Sequence, residues 1–199
     1  MRAFIAVDAP SSSEGSSNNN SGLADLQREM MQSMDRRDVR PVDPGNFHFT
    51  LIFLGEVSEQ QAQQVKELLA QVRFEPFTIT YAGVGAFPNP RNARVVWVGV
   101  EPEGAQKLQA LAADVVAKMA QAGFVPDKPF SPHLTIFRAK NRHVRVNVEK
   151  YVGRTFGSGV VDGVHLKKSD LGPSGPQYSN IYTVRAATTG EKEGKQQHP

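Results

Sequence analysis

Two short segments of this 199-residue chain share one pattern. The first reads Phe47-His48-Phe49-Thr50-Leu51-Ile52-Phe53 and the second Pro132-His133-Leu134-Thr135-Ile136-Phe137-Arg138. Each carries a histidine, any residue, a threonine and an aliphatic residue, and the two histidines lie 85 positions apart. Side chains of a strand alternate between its faces, so His48 and Thr50 share one face and Phe49 and Leu51 the other. His133 and Thr135 likewise stand opposite Leu134 and Ile136. The apolar members anchor each strand in a core, and the polar members face water, a partner or a cleft. If the two halves form facing sheets, two histidines and two threonines converge in one groove.

That set of groups suits phosphodiester chemistry. Two imidazoles with ordinary pKa values near ~6.5 can serve at neutral pH as one base and one acid. The base takes a proton from a water attacking phosphorus, and the acid protonates the departing ribose oxygen. Threonine hydroxyls can donate to the non-bridging phosphate oxygens, which gain charge in the transition state. No metal is required. Either copy alone reads as a satisfied histidine beside a β-favouring threonine. Two copies point to a shared site and to an internal duplication. Zinc is disfavoured, because only His48, His133, His143, His165 and His198 exist, and no pair has short ligand spacing.

The elements that position these residues can be read from pattern. Phe4 to Val7 predicts a short buried strand, followed by a Ser/Asn-rich tract at 11–22 expected to be a flexible surface insertion. Leu23, Leu26, Met30 and Met34 predict an amphipathic helix over 23–34, with the methionines as core rather than cofactor ligands. Phe47 to Leu54 predicts a strand closed by Gly55. Val57 to Val72 predicts a helix with Ser58 as N-cap. Strands are expected over Pro76–Phe87 and Arg94–Glu101, joined by the turn-rich 88–92. A long helix over Gly104–Gln121 ends at Gly123. Further strands are expected over His133–Arg138, Val160–Lys168 and Tyr178–Ala187, before a polar tail from Thr189. The coarse reading is an α+β domain.

Composition sets the outer limits. Hydrophobic residues make up 39% and charged residues 22%, as in a folded globular protein. The absence of cysteine removes disulfide scaffolds, thiolate metal sites and cysteine nucleophiles. A charge of +3 and a pI near 9.2 permit an anionic partner without requiring one. No apolar run approaches the ~20 residues of a membrane span, and the apolar start before Asp8 is too short for a signal peptide. These features point to a soluble, intracellular protein.

At the two histidine motifs the chain resembles the 2H phosphoesterase superfamily, and more closely the RNA 2′,3′-cyclic phosphodiesterases, also called 2′-5′ RNA ligase-like proteins. The resemblance runs from Met1-Arg2-Ala3-Phe4-Ile5-Ala6 through Asn46-Phe47-His48-Phe49-Thr50-Leu51, Leu54-Gly55 and Gly83-Val84-Gly85-Ala86-Phe87-Pro88. It continues in Val95-Val96-Trp97-Val98-Gly99, Pro129-Phe130-Ser131-Pro132-His133-Leu134-Thr135, Val164-His165-Leu166-Lys167-Lys168-Ser169 and Tyr178. The insertion at 11–22 is the main departure.

The resemblance implies one bilobal domain over 1–190 with pseudo-twofold symmetry, two antiparallel sheets flanking a central cleft, and helices outside. It implies hydrolysis of a terminal RNA 2′,3′-cyclic phosphate to a 2′-phosphomonoester; no metal or cofactor is expected, and the chain is expected to act as a cytoplasmic monomer. It makes His48 the proton donor and His133 the acceptor, with Thr50 and Thr135 contacting phosphate. Arg138 matches a basic position after the second motif, although strict alternation puts it opposite Thr135, so a phosphate contact needs a twist or bulge.

Other residues with functional readings are Arg91, Arg94, Lys140, Arg142, Arg145, Lys167 and Lys168, which suit a basic rim for an RNA backbone. Solvated surface charge is the alternative for each. Phe47, Phe137, Tyr178 and Tyr182 could stack on a terminal base, with packing the better reading for the two phenylalanines. Asp8 could orient a histidine or cap a turn. Three rival functions stand beside the first: a small cyclic-nucleotide phosphodiesterase, a 2′-5′ RNA ligase, and a non-catalytic RNA-end binding module.

Overall fold

Nine strands and three helices alternate along the chain in a computed structural model, which describes residues 1–9, 21–140, 142–172 and 175–187. In chain order they are β1 (Arg2–Asp8), α1 (Ser21–Met31), β2 (Val39–Pro41), β3 (His48–Glu56), α2 (Glu59–Leu69), β4 (Phe77–Phe87), β5 (Val95–Val100), α3 (Pro102–Ala120), β6 (Leu134–Ala139), β7 (Thr155–Val161), β8 (Gly163–Gly172) and β9 (Gly175–Arg185).

The strands form two sheets, ordered β3-β1-β8-β9 and β2-β6-β5-β4-β7, with every pair antiparallel. Superposing the orders matches β3-β1-β8-β9 to β6-β5-β4-β7 and leaves β2 as an addition outside β6. The two motif strands, β3 and β6, therefore occupy equivalent places, and they adjoin where the sheets meet. This is the α+β arrangement that the motifs imply.

One apolar core spans both sheets. Phe49 of β3 stacks on Tyr81 of β4 with ring centroids 6.2 Å apart, and both are almost fully buried. Leu108, Ala112, Val115 and Met119 of α3 lie at helical spacing on its buried face, and the helix packs on β3 and β4. Ser58 caps α2 with a full capping box: its hydroxyl accepts from the Gln61 N–H while the Gln61 side chain accepts from the Ser58 N–H.

Three expectations need correction, and one element was not expected. Ser21 and Gly22, placed in the insertion at 11–22, belong to α1, and a side chain at Gly22 would collide with the Phe156 carbonyl of β7. The remainder of that insertion lies outside the described residues, as does the tail from Thr189. The helix expected over 23–34 stops at Met31, and Met34 packs from the following turn. The strand expected over Val160–Lys168 is two strands, parted at Asp162; β7 is rich in glycine and serine, a poor strand signal. The three residues of β2 also carry too little pattern to be found.

Candidate active site

Both motif histidines are held in the same way. Nδ1 of His48 donates to the carbonyl of Asn46 at 2.7 Å, and Nδ1 of His133 donates to the carbonyl of Ser131 at 2.7 Å. In each case the acceptor lies two residues upstream, where the chain turns into the strand. A carbonyl can only accept, so the proton of a neutral ring sits on Nδ1 and Nε2 is left as the working atom. Aromatic rings fix both imidazoles further. His48 lies between Phe4 (centroids 5.1 Å) and Tyr178 (5.2 Å, edge-on), while His133 meets Phe87 (5.1 Å, edge-on) and Trp97 (6.3 Å).

A matching irregularity follows each motif. Along β3, Ile5 pairs with Ile52 and Ala6 with Thr50, so Leu51 is an extra residue. Along β6, Val96 pairs with Phe137 and Trp97 with Thr135, so Ile136 is the extra residue. Each bulge reverses the alternation beyond it. Leu51 and Ile52 are both buried, as are Ile136 and Phe137, and the next residue on each strand, Phe53 and Arg138, turns outward. The bulge that a phosphate contact by Arg138 requires is thus present, and Arg138 and Thr135 line the same cavity.

That cavity, of about 800 Å³, is walled by both sheets: His48 and Tyr178 from one, Thr135 and Arg138 from the other. A smaller one of about 320 Å³ shares His48, Arg138, Pro176 and Tyr178 with it and is also lined by Phe4, Phe53 and Leu171. His133 and Thr50 line neither; both are half-buried, at the equivalent places on the facing motif strands.

Phe53 is the residue that pattern reading misses. It stands where the other half has Arg138, and 69% of its surface is exposed although it is a phenylalanine in mid-strand. Strict alternation would have buried it with Phe49 and Leu51. Phe47 and Phe137 are core residues, as packing predicts, and Tyr182 packs partly buried against the core.

Burial pushes the His48 pKa below its ordinary value. The Asn46 carbonyl opposes this by stabilising the charged ring, Lys167 adds to the lowering, Asp8 opposes it, and Arg138 adds to it. The free protein therefore holds His48 more neutral than an exposed histidine. Folding stability due to His48 is accordingly lost as pH falls below ~6.5, where the unfolded chain protonates first. An anion bound at Nε2 would reverse the shift. We expect the His48 ring signal in an NMR titration to have a midpoint below ~6.5, moving up when a 2′-phosphate nucleotide is added. A midpoint unmoved by the nucleotide would place the phosphate elsewhere.

Asp8 orients neither motif histidine by a hydrogen bond. Its carboxylate pairs with Lys167 at 2.6 Å, lies 3.4 Å from the Asn180 amide and 3.7 Å from Nε2 of His165. Most of the anticipated basic rim is likewise engaged or remote. Arg142 pairs with Asp38, Lys168 with Asp170, and Arg94 Nε donates to His143 at 2.6 Å. Arg91 and Arg145 line a separate cavity beside Met30 and Tyr151. Of the anticipated set, only Lys140 reaches the cavity of His48.

Among the described residues no group of three or more potential ligands could hold a metal ion, and no helix is long and apolar enough to cross a membrane.

Comparison with known proteins bears on the family and the fold. An RNA 2′,3′-cyclic phosphodiesterase of Archaeoglobus fulgidus is 40% identical over 184 residues, covering 91% of this chain and 98% of that one. Its namesake from Aeropyrum pernix is 42% identical over 157 residues, covering 76% and 89%. Among solved structures, a Thermus thermophilus protein superposes with a TM-score of 0.75 at 32% identity, covering 93% of this chain and 97% of that one. Escherichia coli LigT complexed with 3′-AMP superposes with a TM-score of 0.74 at 26% identity, covering 94% and 99%. The model of the LigT-like phosphoesterase family matches twice, at residues 15–97 and 98–178, one match for each motif-bearing half. The chain belongs to the LigT-like phosphoesterases of the 2H superfamily.

Proposed function

We infer that this protein hydrolyses the 2′,3′-cyclic phosphate at an RNA end to a 2′-phosphomonoester. The observation that supports the mechanism is the paired anchoring of His48 and His133: each ring binds a carbonyl two residues upstream through Nδ1, which leaves Nε2 for chemistry, and each stands two residues before a threonine at the equivalent place in its half. The names of the relatives supply the substrate class.

In this reading Nε2 of His133 accepts a proton from water as the water oxygen bonds to phosphorus. The bond from phosphorus to the 3′ oxygen breaks, and Nε2–H of His48 delivers its proton to that oxygen. The products are a 2′-phosphate and a free 3′ hydroxyl. His133 ends protonated and His48 neutral, and exchange with solvent resets both. Thr50, Thr135 and Arg138 bind the non-bridging oxygens, where charge builds as water adds. The hydrogen bonds are alike at the two histidines, so the split into donor and acceptor rests on the family resemblance. The cavity is completed within one chain, which supports a monomer, and residues 1–190 act as one bilobal unit in the cytoplasm.

Phe53 and Tyr178 supply a platform for the terminal base. Stacking of a base on an aromatic ring is worth ~1–3 kcal/mol. Phe53→Ala is expected to raise KM by about 5- to 160-fold on that scale while kcat changes little. A fall confined to kcat would place the ring in the chemistry instead.

The function itself is tested with a short oligonucleotide ending in a 2′,3′-cyclic phosphate, incubated with excess EDTA. The expected product is the 2′-phosphate alone, formed at the rate seen without EDTA. A 3′-phosphate product, or turnover abolished by EDTA, would refute the reading.

A further inference from the structure

The cavity that holds His48 and Arg138 does not end there. It shares Arg40, Pro41, Gln27 and Lys140 with a neighbouring cavity of about 440 Å³, which extends to Arg36 and Arg28 beside α1. Common walls make the two one groove. It leaves the site between β2 and the tip of the β8–β9 hairpin, where a side chain at Gly175 would come within 3.2 Å of Arg40 Nη1.

Charge along this groove is predominantly positive. Arg138, Arg40, Lys140 and Arg36 are all exposed, and among the described residues none has a carboxylate within ion-pair distance. Neighbouring cations are neutralised: Arg37 by Asp35, Arg142 by Asp38, Arg28 by Asp25. Lys140 Nζ donates to the backbone carbonyl of Arg36 at 2.8 Å, which fixes the ammonium at the wall the two cavities share. Asp43 also lines the groove, but its Oδ1 accepts from the Gly45 N–H at 2.8 Å. Arg40 stands on β2, the strand with no counterpart in the other half of the molecule.

A row of unpaired cations spaced along a groove is what a polyanion needs, because each contact releases a condensed counterion. The direction also fits. With the terminal base in the smaller cavity, against Phe53, the larger one is left for the rest of an RNA strand, and its lining leads past Arg40 and Lys140. We propose that this groove holds the backbone phosphates upstream of the reacting end, so that the protein acts on oligonucleotides in preference to cyclic mononucleotides. The proposal rests on the reading of the site as one for RNA ends.

The test compares kcat/KM for 2′,3′-cyclic AMP and for a tetranucleotide ending in a 2′,3′-cyclic phosphate. The parent protein is expected to favour the tetranucleotide by at least about tenfold, equivalent to ~1.4 kcal/mol. The Arg40→Gln/Lys140→Gln variant is expected to bring that ratio close to one and to flatten the dependence of log KM on log salt by about 1.4, at ~0.7 per phosphate contact. The exposed Arg36→Gln variant, which keeps both of those residues, gives a smaller fall in the same ratio even if the double variant misfolds. Equal use of the two substrates by the parent, or a ratio unchanged in the variants, overturns the proposal.

Binding separates this from the catalytic reading. Fluorescence anisotropy with a labelled tetranucleotide ending in a 2′-phosphate should show weaker binding by the double variant than by the parent. Groove-dependent binding without hydrolysis of either substrate would refute the catalytic reading and leave the groove standing. Equal binding by parent and variant would refute the groove.

Discussion

Replacing either His48 or His133 by alanine is expected to lower kcat on a cyclic-phosphate RNA end by about 10²–10⁴-fold, the usual contribution of one general acid or base. The reason lies in how each ring is held. A carbonyl two residues upstream fixes the neutral tautomer and aims Nε2 outward, while aromatic neighbours limit rotation of the ring. Neither imidazole is needed for folding, since both are half-buried at the rim of the core. Thermal melting of the two variants should therefore stay near that of the parent. Because the two groups act in one step, the double variant should be little worse than either single one. Additive losses would mean that the histidines serve separate steps.

The second large effect is expected at Arg138. The bulge at Ile136 turns its guanidinium into the cavity that holds His48 and Thr135. Removing one preorganised donor from a developing oxyanion costs ~10²–10³-fold in kcat, and Arg138→Ala should fall in that range. Arg138→Lys should restore only part of the loss, because an ammonium cannot present two parallel donors to a phosphate. The same substitution to alanine should raise the His48 pKa, since Arg138 is one of the charges that lower it. Steady-state kinetics and the NMR titration of His48 read the two consequences separately. Full activity in Arg138→Ala would show that this side chain faces the substrate without bearing on its charge.

Both effects turn on a feature that alternation alone hides. The positions of His48, Thr50, His133 and Thr135 follow from strand alternation, since their neighbours Phe49, Leu51, Leu134 and Ile136 are plainly core residues. Beyond the threonines, alternation fails. It would place Phe53 with Phe49 in the core and Arg138 opposite Thr135, and each lies instead on the outer face because one residue of its strand is unpaired. A bulge is set by the partner strand, so it leaves only a faint mark in local periodicity. One hint was available: Leu51-Ile52 and Ile136-Phe137 are consecutive apolar pairs at the same place in both motifs. Two aligned breaks in alternation are better explained by duplicated bulges than by two independent accidents.

The basic residues show the opposite limit. Charge alone brought Arg142, Lys167 and Lys168 into the expected rim, and each is spent on a carboxylate: Asp38, Asp8 and Asp170. Arg40 and Arg36 lie about 100 residues before the second motif in the chain and reach the site only because β2 pairs with β6. A three-residue strand cannot announce that pairing. Whether a cation is free to bind an anion depends on long-range partners, which no spacing rule supplies.

The division of labour between the histidines has its most direct test in a substrate whose leaving group needs no proton. In a 2′,3′-cyclic phosphorothiolate with sulfur at the 3′ position, the departing thiolate is far less basic than an alkoxide. The account predicts that His48→Ala, strongly slowed on the oxygen substrate, regains most of the parent rate on the sulfur one, while His133→Ala stays impaired on both. Rescue of His133→Ala instead would reverse the two roles, and rescue of neither would contradict proton donation by a histidine to the leaving oxygen.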